Sequence, residues 1–168
     1  PTRRSSDLNQ KPMTGYDIAK EFSAHAFSNF WYATHGQIYP ELKKLTDEGL
    51  IIFEVVIQGK ALEKKLYTIT KKGTDDFLKW LKMDESLAQT PKDVFRLRTY
   101  FSEFLDKKDY VKLLYNEIDK HKFKYVHLYR SMEESFGKKK PRPRTTEHGD
   151  YMVLDYALIR EKSYILWL

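Results

Sequence analysis

Two runs of β-branched and aromatic residues, IIFEVVI and EKKLYTIT, lie close together in a chain whose other patterned stretches all repeat at helical spacing. Their link, QGKAL, contains Gly59, which suits the tight part of a hairpin connection. A single hairpin among helices restricts the chain to a mainly α class with a small β-hairpin. The order of elements around that hairpin then carries the argument further.

Upstream, MTGYDIAKEF reads as a helix capped by Thr14, with Tyr16, Ala19 and Phe22 on one side. The stretch THGQIYPELKKLTDEGLI reads as a second helix ended by Gly49, in which Ile38, Leu42 and Leu45 form a stripe that must face a core. After the hairpin, TKKGTDDFLKWL returns to a helical pattern and offers Phe77, Leu78 and Leu81 for burial. Helix, helix and basic hairpin in this order make a winged helix-turn-helix, expected over residues 13–82. Residues 1–12 are polar, with Leu8 the one large aliphatic side chain, and are expected to be disordered or foreign to the fold.

A second, helical domain is expected over residues 91–168, opening after QTPKD, where Pro91 suits a first turn. Helices are read at about 92–105, 108–136 and 151–168. The long one carries Val111, Leu114, Ile118, His121, Tyr125, Leu128 and Met132 in steps of three and four, and only His121 breaks the apolar seam. The last carries Leu154, Leu158 and Ile165 at heptad-like spacing, with Glu161 interrupting. The intervening GKKKPRPRTTEHGD is expected to be a mobile surface loop.

Several function classes drop out. With no cysteine there is no disulfide framework, thiolate zinc site or cysteine nucleophile, and the reducing cytoplasm is the natural setting. No apolar run approaches a membrane span, so no membrane partner is expected. His25, His35, His121, His127 and His148 show no metal-binding spacing, and the adjacent pairs Asp75-Asp76 and Glu133-Glu134 point apart. Without a phosphate loop or nucleophile elbow, neither an enzyme nor a cofactor or metal site is expected. The net charge of +6 is compatible with a polyanionic partner and decides nothing alone.

The face of the second helix opposite its apolar stripe is more informative. It carries Gln37, Pro40, Lys43 and Lys44, with Thr34, His35 and Gly36 at its N-terminal end and Tyr39 and Glu41 at its flanks. Glutamine suits adenine edges, lysines suit phosphates, and a helix N-terminus favours an anion. The wing adds Lys60, Lys64 and Lys65. On charge alone these lysines would be read as a solvated face; order, spacing and wing together favour duplex DNA. The alternative is a winged-helix protein-interaction module that presents the same basic face to an acidic partner, without sequence-specific DNA binding.

GYDI, GQIYPELKKLTDEGLI and EKKLYTIT resemble the PadR family of bacterial transcriptional regulators, and REKSYILWL is similar to the closing helix of its members. The resemblance implies an N-terminal winged helix-turn-helix, a C-terminal helical dimerisation domain, and repression by a homodimer on inverted-repeat operator DNA. It implies DNA contacts at Thr34, His35, Gln37, Tyr39, Lys43, Lys44, Lys60, Lys64 and Lys65, with dimer contacts at Leu154, Leu158 and Ile165. Release by a small aromatic effector is implied too, a phenolic acid in the branch it resembles most. No effector pocket is assigned. His121 has two readings, a partly buried histidine hydrogen-bonded between helices or a polar handle for the effector, and the first is the simpler. The aromatic group Tyr110, Phe123, Tyr125 and Tyr129 poses the same choice between packing and a ligand box. Family members carry another apolar helix before GYDI, so the start of this chain is expected to be truncated or replaced.

Overall fold

The computed structural model describes residues 11–24, 33–58, 62–87 and 89–168. A two-residue strand, β1 (Met13–Thr14), leads into α1 (Gly15–Ala24), followed by α2 (His35–Asp47), β2 (Ile51–Gln58), β3 (Leu62–Ile69) and α3 (Lys71–Trp80). Then come α4 (Val94–Tyr100), a short 3-10 turn (Ser102–Phe104), α5 (Lys107–Phe136) and α6 (Thr146–Trp167). The described residues group into two compact units, one of residues up to Asp84 with Pro141–Val153, the other Glu85–Lys140 with Leu154–Leu168. Among the described residues, no helix is long and apolar enough to cross a membrane.

In the first unit, Ala19 of α1 and Ile38 and Leu42 of α2 are buried against one another, with Ile18, Phe22, Ile51 and Tyr67 packed around them. The spacing of Ile38 and Leu42 puts both on one face of α2, and each such aliphatic side chain contributes about 1.5–3 kcal/mol. Leu45, one turn further, is half-buried. The sheet has the order β1-β3-β2 and is antiparallel, running from Ile51↔Ile69 to Gln58↔Leu62, while Met13↔Tyr67 and Thr14↔Leu66 add the third strand. One flank of the core stays open as an apolar recess of about 280 Å³ bordered by Met13, Ile18, Leu45 and Phe77.

A joint of main-chain groups fixes where α2 ends and the sheet begins. Gly49 has φ +69°, a left-handed turn that glycine adopts without strain. The Thr70 hydroxyl accepts from the Gly73 N–H at 3.0 Å, capping α3, and donates towards the carbonyls of Gly49 and Leu50 at 2.9 and 3.0 Å. The Thr70 N–H adds a bond to Leu50 O at 2.9 Å. Gly73 is buried so closely against this turn that a Cβ there would lie 2.0 Å from the Leu50 carbonyl oxygen.

Several sequence expectations need correction. Phe77, Leu78 and Leu81 are exposed, because α3 turns its glycine side, not its aromatic side, against the Leu50 turn. Tyr16 is exposed as well, since it lies at the very start of α1, beyond the core that holds Ala19 and Phe22. Met13–Thr14 pair with β3 and are not helical. The helix expected over 92–105 stops at Tyr100, where the run TYFS offers poor helix formers and the Thr99 hydroxyl donates to Arg96 O at 2.8 Å. The last helix begins at Thr146, five residues early, because the Thr145 hydroxyl accepts from the His148 N–H at 3.2 Å and supplies a cap inside the expected loop.

Candidate nucleic-acid interface

With its apolar stripe packed inward, α2 leaves Gln37, Lys43 and Lys44 exposed on its other side, Tyr39 exposed at its flank, and Thr34 and His35 exposed at its N-terminal end. Beside it, the hairpin and the first turn of α1 border an open groove of about 1430 Å³, whose rim includes Asp17, Tyr39, Lys43, Phe53, Lys64 and Lys65. Strand alternation sends Lys64 and Lys65 to opposite faces of β3, and both border the groove; among the described residues β3 pairs only with β2 beyond Leu66. Lys65 Nζ stands 4.2 Å from the centre of the Phe53 ring, a cation–π contact that keeps the ammonium on the face shared with Tyr67. Lys60 lies outside the described residues. The sequence grouped three wing lysines as one element, and the strand geometry separates two of them.

Gln37 has a role that the sequence reading passed over. Its Oε1 accepts from the Thr34 N–H at 2.9 Å and from the Thr34 hydroxyl at 3.0 Å, tying down the first turn of α2. Bidentate reading of adenine uses the amide oxygen and the amide nitrogen together. Here the oxygen is committed to the cap, which leaves the NH₂ as the group free to donate to a base acceptor. The signal was present as Thr34-x-x-Gln37, a capping pattern. Replacement of Gln37 by Ala should therefore lower stability by about 1 kcal/mol, whereas Gln37→Glu keeps an acceptor for Thr34 and should melt like the parent in urea. Equal stability of the Ala variant would remove the cap from the account.

Pro40, inside α2, has no N–H to give the Gly36 carbonyl, so the i→i−4 hydrogen bond is missing at that point of the helix. At the helix start, the Tyr16 ring lies 6.2 Å from His35, bringing α1 to the edge of the same surface. Thr14 and Asp17 cap α1 reciprocally: Thr14 Oγ1 accepts from the Asp17 N–H at 3.1 Å, and Asp17 Oδ2 accepts from the Thr14 N–H at 3.1 Å. Hydrogen bonds from the Thr14 hydroxyl and N–H hold the Asp17 carboxyl below its ordinary range, aided by the charges of Lys64 and Lys20.

The helical unit holds a polar cluster between α5 and α6. Glu161 of α6 is 1% exposed, and its carboxylate receives His121 Nδ1 of α5 at 2.5 Å, Arg160 at 2.9 Å and Lys124 at 3.3 Å. Burial pushes the Glu161 carboxyl up, but the hydrogen bonds from His121 and Arg160 and the charge of Lys124 outweigh it and hold the group below its usual range. The His121 ring stacks on Tyr164 at 3.9 Å, and the Tyr164 hydroxyl donates to Asp93, the N-cap of α4, at 2.8 Å. Burial, then the Asp93 hydrogen bond and charge, push the Tyr164 phenol up to about 12. The two residues that broke apolar seams in the sequence, His121 and Glu161, are each other's partner. His121 Nε2 points at Glu117 Oε1, 3.7 Å away, so both ring nitrogens face carboxylates and the packing reading of His121 is favoured. Among the described residues, no group of acidic and histidine side chains could hold a metal ion.

A helix sealed on one side, open on the other and flanked by a small antiparallel wing defines the winged helix-turn-helix class. The chain belongs to the PadR-like family of transcriptional regulators: residues 6–79 match that family, and residues 91–168 match the C-terminal domain described as virulence activator alpha. The negative transcriptional regulator PadR of Bacillus subtilis strain 168 is 40% identical over 162 residues, 96% of this chain and 88% of that protein. The crystal structure of Bacillus subtilis PadR in complex with operator DNA is similar at TM-score 0.87 and 40% identity, covering 96% of this chain and 90% of that one. The same protein in complex with p-coumaric acid is similar at TM-score 0.83 and 36% identity, covering 96% and 89%. These relatives are regulators and not enzymes, in line with the absence of a catalytic constellation in the sequence.

Proposed function

We propose that this chain is a transcriptional repressor that binds an inverted-repeat operator as a homodimer, with α2 in the major groove and the hairpin as wing. The observation that carries this reading is that Gln37, Lys43 and Lys44, on the side of α2 away from its core, are exposed together with Tyr39 at its flank and Thr34 and His35 at its N-terminal end. In a two-fold dimer the two α2 helices would enter successive major grooves about 34 Å apart. Lys43, Lys44 and Lys65 meet phosphates, His35 and Thr34 set the helix end against the backbone, and Gln37 donates from its NH₂. Lys64 and Lys60 belong to the wing side of the same contact. Similarity to a relative solved with operator DNA supports the assignment.

Dimer contacts are proposed along the C-terminal helices. Leu154 is buried within its own chain, whereas Leu158 and Ile165 are half-buried, and Leu166 and Trp167, next to Ile165 in the sequence, are exposed. Leu97, Phe101 and Phe104 add exposed apolar surface on α4 and the turn after it. An aromatic acid is proposed as the releasing ligand, by similarity to the relative solved with p-coumaric acid. Such a ligand acts only through a higher affinity for the conformation that does not fit DNA.

The test is a salt series with operator and random duplexes. Log affinity should fall linearly with log salt, and Lys43→Ala or Lys44→Ala should each reduce the slope by about 1 while weakening both duplexes alike. A salt-independent affinity, or lysine variants that bind every duplex as the parent does, would overturn the reading.

A further inference from the structure

Gly15 opens α1 directly beneath the recognition face, and its backbone does not need glycine: its φ is not in the left-handed region. What it lacks is room. A Cβ at Gly15 would lie 2.7 Å from Cε1, 3.0 Å from Cζ and 3.2 Å from the hydroxyl oxygen of Tyr39. The phenol ring of Tyr39 therefore rests on the bare main chain of the first turn of α1, its outer edge in the groove between α2 and the hairpin. Tyr39 is 49% exposed, so this seat covers it only in part. Burial first, and then the neighbouring Tyr39 phenol, push the Tyr67 phenol above its ordinary value.

We propose that Gly15 is a positioning residue for DNA recognition: by having no side chain it lets Tyr39 fold across α1, which fixes the direction in which the Tyr39 hydroxyl is offered to a duplex. The proposal rests on α2 being the DNA-facing helix. The ring is a rigid body with two rotatable bonds, so a methyl group under its Cε1 edge cannot be absorbed by bending the far end of a flexible chain. The ring must turn about χ1 or χ2 and swing off its seat into the groove. A hydroxyl displaced in this way no longer meets the acceptor it faces in the parent complex. Alanine is also the better helix former, so the substitution carries no general penalty on α1.

The experiment is a double-mutant cycle of Gly15→Ala and Tyr39→Ala, read as operator affinity, with Tyr39→Phe as the hydroxyl control. Gly15→Ala alone is expected to weaken operator binding about five- to tenfold, the order of one hydrogen bond. In the Tyr39→Ala background, where the seat is empty, the same change should be silent. Tyr39→Phe should lose about as much as Gly15→Ala. If Gly15→Ala fails to fold, the double variant should recover the fold and bind as Tyr39→Ala does; no recovery overturns the proposal. Parent-like affinity of Gly15→Ala, a loss that persists without Tyr39, or an affinity indifferent to Tyr39→Ala also overturns it. The Lys43→Ala and Lys44→Ala variants report separately on α2 as the DNA face, so a parent-like Gly15→Ala beside weakened lysine variants defeats the positioning role alone.

Discussion

Glu161→Ala is expected to lower the unfolding free energy by about 3–5 kcal/mol, the usual cost of removing one partner from a buried charge cluster. Glu161 is almost wholly enclosed, and the change strands His121, Arg160 and Lys124 around a vacated centre while removing the tie between α5 and α6. For a chain of this length the thermal midpoint should drop by roughly 6–20 °C. The effect also has a pH signature. A carboxyl held below its usual range in the folded protein contributes stability that is complete above the unfolded value and is lost as pH falls through the folded one. The gap between parent and variant should thus stay constant from neutral pH to about pH 5 and close in acid. A gap that is small at neutral pH, or that widens in acid, would show that the cluster does not hold these helices together.

The second large effect concerns Gly73→Ala, expected to cost about 3 kcal/mol in urea or thermal melts. Elsewhere in a helix this exchange gains up to about 1 kcal/mol from propensity. At Gly73 the new methyl would press on the Leu50 carbonyl oxygen and on Ile69 Cγ1 at 2.9 Å. The first of these is main chain and has nowhere to move, so α3 must lift from the turn and weaken the bonds from Thr70 to Gly49 and Leu50. An unchanged or raised midpoint would mean that the joint is far softer than its distances indicate.

What the sequence made legible was local and periodic. The stripe of Ile38 and Leu42 and the β-branched runs of the hairpin each declare themselves within a dozen residues, because one helix face or one strand alternation is enough to reveal them. The exposed face of α2 followed from the same geometry by subtraction. Less visible were relations between elements. His121 and Glu161 looked like two separate flaws in two seams, and only the packing of α5 on α6, 40 positions apart in sequence, turns them into a pair. Phe77 and Leu78 looked like core, since hydrophobicity alone does not say which side of α3 a buried glycine will claim. The break after Tyr100 and the early start of α6 were set by hydroxyls of Thr99 and Thr145, whose competition with the helix is decided by single hydrogen bonds. Within the candidate interface, Thr34-x-x-Gln37 carries a capping pattern beside the base contact expected of Gln37, and the pattern alone does not say that one side chain serves the cap. The Tyr39 seat on Gly15 was not readable, because a glycine in a motif does not announce which ring lies over it.

The turn that joins α2 to β2 and α3 is made of main-chain carbonyls, a threonine hydroxyl and a missing side chain. It works as the hinge pin of a caliper that is welded shut, setting the opening between α2 and the hairpin through main-chain groups. Exposed side chains along α2 can therefore be exchanged one by one without altering that span.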